Sequence, residues 1–322
     1  SLPSTGGAGG GARGLDVTAA VNGFWPQRAQ GGPTSLGGSA VADVVPAEEF
    51  LELAGGRVHL LRGGTGEPVL FLHAAGGAGE WLPFHGLLAS AGFEVIAPEH
   101  PGFGKSDEFP EAEAVDDLAF HYLDVLDALG LDRPHVVGAS FGGWIAAELA
   151  VYAPHRIGSL TLLSAAGLRL PEHPVADVFL MPPAKVAAAL FHNPPPAPVS
   201  EATVSQARAP GTPPDLDAII AAYREATSLA RFCWVPFMSD PKLERRLRRI
   251  AAPTLVVAPS DDRLIPVEHA RRYAARIPGA AYAEVPDCGH AMYVEKPAEF
   301  ASSVTEFLST HPLAAGESGV SR

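Results

Sequence analysis

Cysteine is almost absent: the 322-residue chain has two, Cys233 and Cys288. Two cysteines build no disulfide framework, and neither stands in a Cys/His spacing that holds zinc. No metal site is expected. Charged residues are sparse at 18%, and 23 Lys and Arg against 36 Asp and Glu leave a net charge of −13. An acidic balance repels phosphate backbones, so no nucleic-acid partner is expected. Long apolar runs are missing too. No stretch approaches the ~18 residues of a spanning helix, so no membrane span is expected. The N-terminus lacks the basic region and the apolar run of about 7–15 residues that mark a secretory signal. A cytoplasmic protein is expected, with a processed, secreted form as the alternative because the chain opens on Ser1. There is no internal repeat, and the sequence assigns no oligomeric state.

What is present is core-forming material, 47% hydrophobic residues. The length fits two domains, or one large α/β domain with an insertion. Residues 1–46 are rich in Gly, Ala, Ser and Pro, as in Gly6-Gly7-Ala8-Gly9-Gly10-Gly11. Such a segment has little to offset ordering entropy, so a flexible tail is expected, with Phe24-Trp25 the exception. Residues 313–322 form a second tail. Between them, Phe50–Leu53 and Val58–Leu61 read as a hairpin. Val69–Leu72, Val95-Ile96, Val136-Val137, Leu160–Leu163 and Thr254–Val257 are short apolar runs suited to a parallel sheet covered on both faces. Amphipathic helices are predicted over Val115–Leu129, Phe141–Tyr152 and Pro297–Leu308. The order predicts a doubly wound, mostly parallel α/β sheet. Its core spans 47–167 and 248–312. Residues 168–247 break the pattern with proline clusters and short helical patches around Ala184–Phe191, Leu216–Phe232 and Lys242–Ile250, and read as an inserted helical cap.

The chemistry concentrates in loops after strands. Gly138-Ala139-Ser140-Phe141-Gly142-Gly143 follows a strand and opens a helix. A serine on such a turn is flanked by small residues, thrust out at the strand's carboxyl end and placed at a helix N-terminus that favours negative charge. His290, in Asp287-Cys288-Gly289-His290, follows the last apolar run and is the candidate base. The Thr254 strand ends in Asp261-Asp262-Arg263-Leu264-Ile265-Pro266, and one of the two aspartates is the candidate acid. The order Ser, Asp, His is that of elbow-type hydrolases. His73-Ala74-Ala75-Gly76-Gly77-Ala78-Gly79 is a small-residue loop suited to an oxyanion hole, with the Ala75 and Phe141 N–H groups as donors. It lacks the Lys-Ser/Thr ending of a phosphate loop. Cys288 reads as a packing residue.

These elements, with the turn His100-Pro101-Gly102-Phe103-Gly104-Lys105-Ser106, resemble the α/β-hydrolase fold superfamily across about residues 47–312. The resemblance implies a Ser140–Asp262–His290 triad, Asp262 being preferred because the family's acid stands four residues before the proline of such a run. It also implies a helical cap over the pocket. The Gly-Phe-Gly-Lys-Ser and Asp-Asp-Arg-Leu-Ile-Pro runs are similar to those of capped esterases and of meta-cleavage-product hydrolases. Two positions depart from the pattern: Ala74 stands where the family has Gly, and Ala291-Met292 follow His290 where the carbon–carbon hydrolases often carry Trp. Serine at 140 sets the chain apart from the haloalkane dehalogenases and epoxide hydrolases, which use Asp.

The expected activity is cofactor-free hydrolysis of a small to medium apolar carboxylic ester, a small-molecule substrate. The alternatives are carbon–carbon cleavage of a diketone or ring-fission product, and a non-hydrolytic ligand-binding or biosynthetic role on the same fold. Trp144, Phe179, Met181, Phe191, Trp234 and Phe237 are expected to line the pocket, with Leu180, Leu190, Phe232 and Met238 also available.

Overall fold

The computed structural model describes residues 44–76, 79–194 and 216–313. The expected tails lie almost wholly outside the described residues, as do Phe24-Trp25 and Gly77-Ala78 of the small-residue loop.

Eight strands form one sheet in the order β1-β2-β4-β3-β5-β6-β7-β8. They are β1 (Ala47–Leu53), β2 (Gly56–Gly64), β3 (Glu67–Leu72), β4 (Phe93–Pro98), β5 (His135–Ala139), β6 (Ser159–Leu163), β7 (Thr254–Pro259) and β8 (Ala281–Val285). β1 and β2 are the expected hairpin, and β2 also pairs antiparallel with β4. From β4 to β8 every pairing is parallel. Each residue of β5, β6 and β7 is buried, as a sheet covered on both faces requires. Alternation sorts the strand side chains into two cores. Leu70, Leu72, Val136, Leu160, Leu162 and Val256 join one cluster. Val69, Phe71, Val137, Leu163, Leu255 and Val257 join the other.

The helices are α1 (Pro83–Ser90), α2 (Val115–Ala128), α3 (Phe141–Tyr152), α4 (Pro183–Leu190), α5 (Leu216–Cys233), α6 (Leu243–Arg246), α7 (Val267–Arg276), α8 (Met292–Glu295) and α9 (Pro297–Ser309). The sequence reading had no helix at α1, α7 or α8. α8 is a single turn, and α7 buries only His269, Ala270 and Tyr273, too narrow a stripe to stand out. α3 is buried from Phe141 to Val151, which its Gly and Ala content allows. A Cβ on Gly142 would lie 2.2 Å from the Leu72 carbonyl oxygen, so the helix approaches β3 as closely as it does because position 142 has no side chain.

Between β6 and β7 the chain makes a long excursion carrying α4, α5 and α6. It is fastened to the core at several places. Arg224 of α5 donates to the Gly104 and Ser106 carbonyls at 2.8 and 2.6 Å, Ser228 Oγ to the Gly102 carbonyl at 2.9 Å, and Arg231 to the Phe109 and Pro110 carbonyls. These three side chains share one face of α5. Beyond α4, the Glu295 carboxylate accepts from the His192 and Gly289 N–H groups at 2.9 and 2.7 Å. It thereby joins the excursion to the loop that carries His290.

Candidate active site

β5 ends at Ala139, and Ser140 follows with φ 53° and ψ −112° as the N-cap of α3. A non-glycine residue with positive φ is strained and persists only where its surroundings over-determine it. Here its N–H donates to the Leu163 carbonyl at 2.8 Å, and its carbonyl accepts from Ala166 and Trp144. Gly138 is required at the start of this turn, because a Cβ there would meet the Gly142 oxygen at 2.4 Å.

His290 sits on the loop after β8. Its Nε2 lies 2.9 Å from Ser140 Oγ and its Nδ1 2.7 Å from Asp262 Oδ2. A carboxylate only accepts, so Nδ1 carries the proton and Nε2 is left to accept from the serine hydroxyl. Asp262 Oδ1 is itself oriented by the Leu264 and Ile265 N–H groups at 2.9 and 2.8 Å. The Asp262 side chain is fully buried. Asp261 points elsewhere, accepting from Arg263 at 2.5 Å and pairing with His192 at 2.9 Å.

One member of the cluster escaped sequence reasoning. Ser164, just past β6 with φ 46°, donates through Oγ to Asp262 Oδ2, the oxygen that also faces His290. A lone serine after a strand carries no motif, so only the fold reveals it.

Ala75 lines the cavity at Ser140. Phe141 is the first residue of α3, where the backbone N–H has no partner within the helix. The Ala75 loop is held from behind by two stacked histidines, His73 and His100, with ring centroids 3.7 Å apart. The His100 N–H donates to His73 Nε2 at 3.0 Å, so the His73 Nδ1–H donates to the Ala74 carbonyl at 2.6 Å. His100 in turn bonds the His73 carbonyl through Nε2 and the Tyr122 hydroxyl through Nδ1. Burial pulls His73 down to about 4 and His100 well below the usual range, so both are neutral. Cys288 is buried, and burial first, then the Glu295 carboxylate, push its thiol up to about 12. It stays protonated, as a packing residue should.

The cavity at Ser140 measures about 60 Å³. Besides Ser140, His290 and the small-residue loop, it is lined by Val175, Val178, Val186, Leu190, Leu229, Met238, Leu264, Ile265 and Tyr293. No Lys or Arg is among them. The expected pocket residues need correction, because none of the six lines it. Trp144 is buried on α3, its Nε1–H donating to Glu148 at 3.3 Å. Phe179 packs edge-on against Trp234 and Phe237, with centroids 5.4 and 6.0 Å away, and Trp234 is 55% exposed. Phe191 is buried in the core, and Met181 packs against its edge. The expectation rested on the apolar character of these residues alone, whereas which side chains wall the cavity is set by how the segment packs over Ser140. Of the wider set, Leu190 and Met238 do line it.

A second depression of about 750 Å³ is lined by Arg245, Arg246, Arg248, Arg249, Arg276 and Glu244 among others and shares no residue with the first. The net charge of −13 conceals this local basic run. Among the described residues there is no group of three His, Cys, Asp or Glu that could hold a metal, and no helix is long and apolar enough to cross a membrane.

With this geometry in place, comparison with known proteins defines the class. Residues 67–297 match the model of the alpha/beta hydrolase fold family, and the chain belongs to that family and is a hydrolase. It is 30% identical over 284 residues, 79% of this chain and 91% of the relative, to 2-hydroxy-6-oxo-6-phenylhexa-2,4-dienoate hydrolase of Burkholderia cepacia. It is 31% identical over 271 residues, 78% of this chain and 91% of the relative, to 2-hydroxy-6-oxononadienedioate/2-hydroxy-6-oxononatrienedioate hydrolase of Burkholderia vietnamiensis. Among solved structures it is similar to a serine hydrolase involved in carbazole degradation, with TM-score 0.63 and 26% identity over 83% of this chain and 100% of that one. A membrane phospholipase A shares the fold at TM-score 0.66 and 24% identity, covering 82% and 86% of the two chains.

Proposed function

We propose that the protein is a cofactor-free serine hydrolase acting on a small, uncharged carboxylic ester. Ser140 is the nucleophile, His290 the base, Asp262 the orienting acid, and residues 168–247 are the cap. The observation that carries this reading is the unbroken hydrogen-bond relay from Asp262 through His290 to a serine on a strained strand-to-helix turn. His290 takes the Ser140 proton as Oγ attacks the ester carbonyl carbon. The oxyanion is received by the Ala75 and Phe141 N–H groups. Asp262 stabilises the imidazolium. His290 then protonates the departing alcohol, and water, activated by the same imidazole, hydrolyses the acyl-enzyme. Fixed donors at the oxyanion are worth about 2.7–4 kcal/mol each in enzymes of this type.

Two features of the cavity support the substrate class. Its walls are apolar, and about 60 Å³ accommodates a short acyl chain rather than a long one. A carboxylate placed there would meet no cation among the lining residues, and burying an unpaired charge is costly. The names of the relatives favour a second reading, carbon–carbon hydrolysis of a 2-hydroxy-6-oxo dienoate, with His290 as the proton shuttle. The lack of a Lys or Arg among the described lining residues supports putting the ester first.

One assay separates these. Ser140→Ala should lower turnover of an activated short-chain aryl ester by at least about a thousandfold, and a fluorophosphonate should label Ser140 in the parent. Turnover within tenfold of the parent would remove the mechanism. A strong preference for a vinylogous 1,5-diketone over the aryl ester would reverse the order of the two bonds. Failure of labelling would favour a non-hydrolytic role.

A further inference from the structure

β8 ends at Val285, and His290 follows five residues later on a loop. The chain after β7 holds this loop at one point, where the Asp261 N–H donates to the Cys288 carbonyl at 3.0 Å. Past Cys288 the partners are different. The Gly289 N–H donates to Glu295 Oε2 at 2.7 Å, and the Ala291 N–H donates to the Leu190 carbonyl at 2.8 Å. The N–H groups on either side of His290 are thus answered by Glu295 and by the excursion between β6 and β7. Leu190 also lines the cavity at Ser140.

Glu295 receives the excursion with the same carboxylate. Oε1 accepts from the His192 and Asn193 N–H groups at 2.9 and 3.3 Å, and Oε2 accepts from His192 at 3.1 Å as well as from Gly289. A carboxylate that merely capped a helix would bond the first N–H groups of that helix. None of these donors lies in α8 or α9, the helices on either side of Glu295. The excursion has other fastenings, from Arg224, Ser228 and Arg231 of α5, so anchoring it does not account for a contact aimed at Gly289. Residue 289 makes the approach possible. A Cβ there would stand 2.5 Å from the His192 nitrogen and 2.7 Å from the Leu190 oxygen, so the two backbones meet because 289 is glycine.

We infer that Glu295 is a positioning residue for His290: its carboxylate clasps the base loop to residues 190–193, and this clasp sets the reach of Nε2 to Ser140 Oγ. The inference rests on the reading of His290 as the base and deepens it, because a segment that lines the cavity then also holds the catalytic group. A catalytic side chain works only when held within about 0.5 Å of its productive place. A loop that has left its strand five residues earlier needs such outside support.

Two variants open the clasp in different ways. Glu295→Ala removes the acceptor, whereas Gly289→Ala keeps it and wedges the two backbones apart. The readout is kcat/KM on two size-matched esters, 4-nitrophenyl butanoate and 4-methoxyphenyl butanoate. Nitrophenolate departs unaided, while methoxyphenolate needs the proton that His290 delivers. Each variant should lose about tenfold or more on the nitrophenyl ester, and at least about threefold more on the methoxyphenyl ester. Glu295→Gln keeps one accepting oxygen and should fall between the parent and Glu295→Ala. The double variant should lie within about twofold of the poorer single one, because both changes break one contact. Loss of folded enzyme would lower both esters by the same factor, so equal losses, or none, overturn the inference. The far-downfield proton resonance of His290 Nδ1–H reads the placement without turnover. It should shift or vanish in Glu295→Ala and in Gly289→Ala while the methyl signals of the sheet core keep their places, and an unchanged resonance in Glu295→Ala overturns the role of Glu295. If the wild type hydrolyses neither ester, the hydrolase reading has failed, and the resonance still decides whether Glu295 holds the imidazole.

Discussion

A single carboxylate oxygen, Asp262 Oδ2, faces both the His290 Nδ1–H and the Ser164 hydroxyl. Ser164 therefore helps fix the rotamer of Asp262 and shares its charge with the imidazole. A hydrogen bond to a charged group is worth about 1.5–3 kcal/mol. Ser164→Ala should lower kcat/KM on an aryl ester by about tenfold, with Asp262 still in place, and should alter the acidic limb of the pH–rate profile. An unchanged profile would reduce Ser164 to a packing role. The roles proposed for Ser140 and His290 were readable because each stands in a short run whose neighbours encode a turn; the run after β7 narrowed the acid only to Asp261 or Asp262, and the family resemblance chose between them. Ser164 was not readable, since the backbone angle that aims it is set by the loop beyond β6 and leaves no mark in residue type. The cavity lining was hidden for a related reason. Which face of α4 or α5 meets Ser140 depends on how the cap settles, and hydrophobicity alone does not report that.

At the scale of elements, the polar stripe of α5 fastens the excursion between β6 and β7, the proposed cap, to the loops from Gly102 to Pro110. Arg224, Ser228 and Arg231 satisfy loop carbonyls from Gly102 to Pro110, groups that would otherwise need water. Arg224→Ala removes two of these bonds from a partly buried site, a loss of about 1–2 kcal/mol. Hydrogen exchange should speed up in α5 while β5, β6 and β7 keep their protection, and KM should move more than kcat. Uniform loss of protection across the sheet would mean instead that the cap and core unfold together. The sheet itself was legible strand by strand, because continuous apolar runs bounded by turns have few other uses. The hairpin was legible from the two apolar runs flanking Gly55-Gly56, whereas α1 and α7 were missed because tertiary packing, not a strong apolar stripe, holds them.

For the molecule as a whole, buried ionisable groups set the pH range of stability. Burial lowers His73 and His121 to about 4 and His85 to about 3, and holds His100 well below the usual range. The unfolded chain binds protons at these sites near the ordinary value of about 6.5, so below that pH it gains protons that the fold refuses, and stability falls as pH falls. Glu148 and Glu225 work in the opposite direction. Burial raises each to about 7, so their contribution is complete below the ordinary carboxylate range and is lost as pH rises towards 7. Burial lowers His135 and His269 as well, so with six histidines against two carboxyls the acid side dominates. Tm should drop as pH falls from about 6.5 to 4, the histidine contribution outweighing the opposite contribution of Glu148 and Glu225 over the same range. Glu148→Gln removes part of that opposition and should steepen the drop. A Tm that holds constant down to pH 4 would contradict the neutral, buried histidines.

Glu295 gathers N–H groups from His192 on one side and Gly289 on the other. Any swing of residues 188–193 outward must therefore either break with this carboxylate or drag the imidazole loop along. The placement of residues 188–193 and that of His290 are in that way mechanically linked. A chimera that grafts a foreign roof onto this sheet would inherit the catalytic side chains intact and still misplace one of them, unless the graft brings its own donor to position 295.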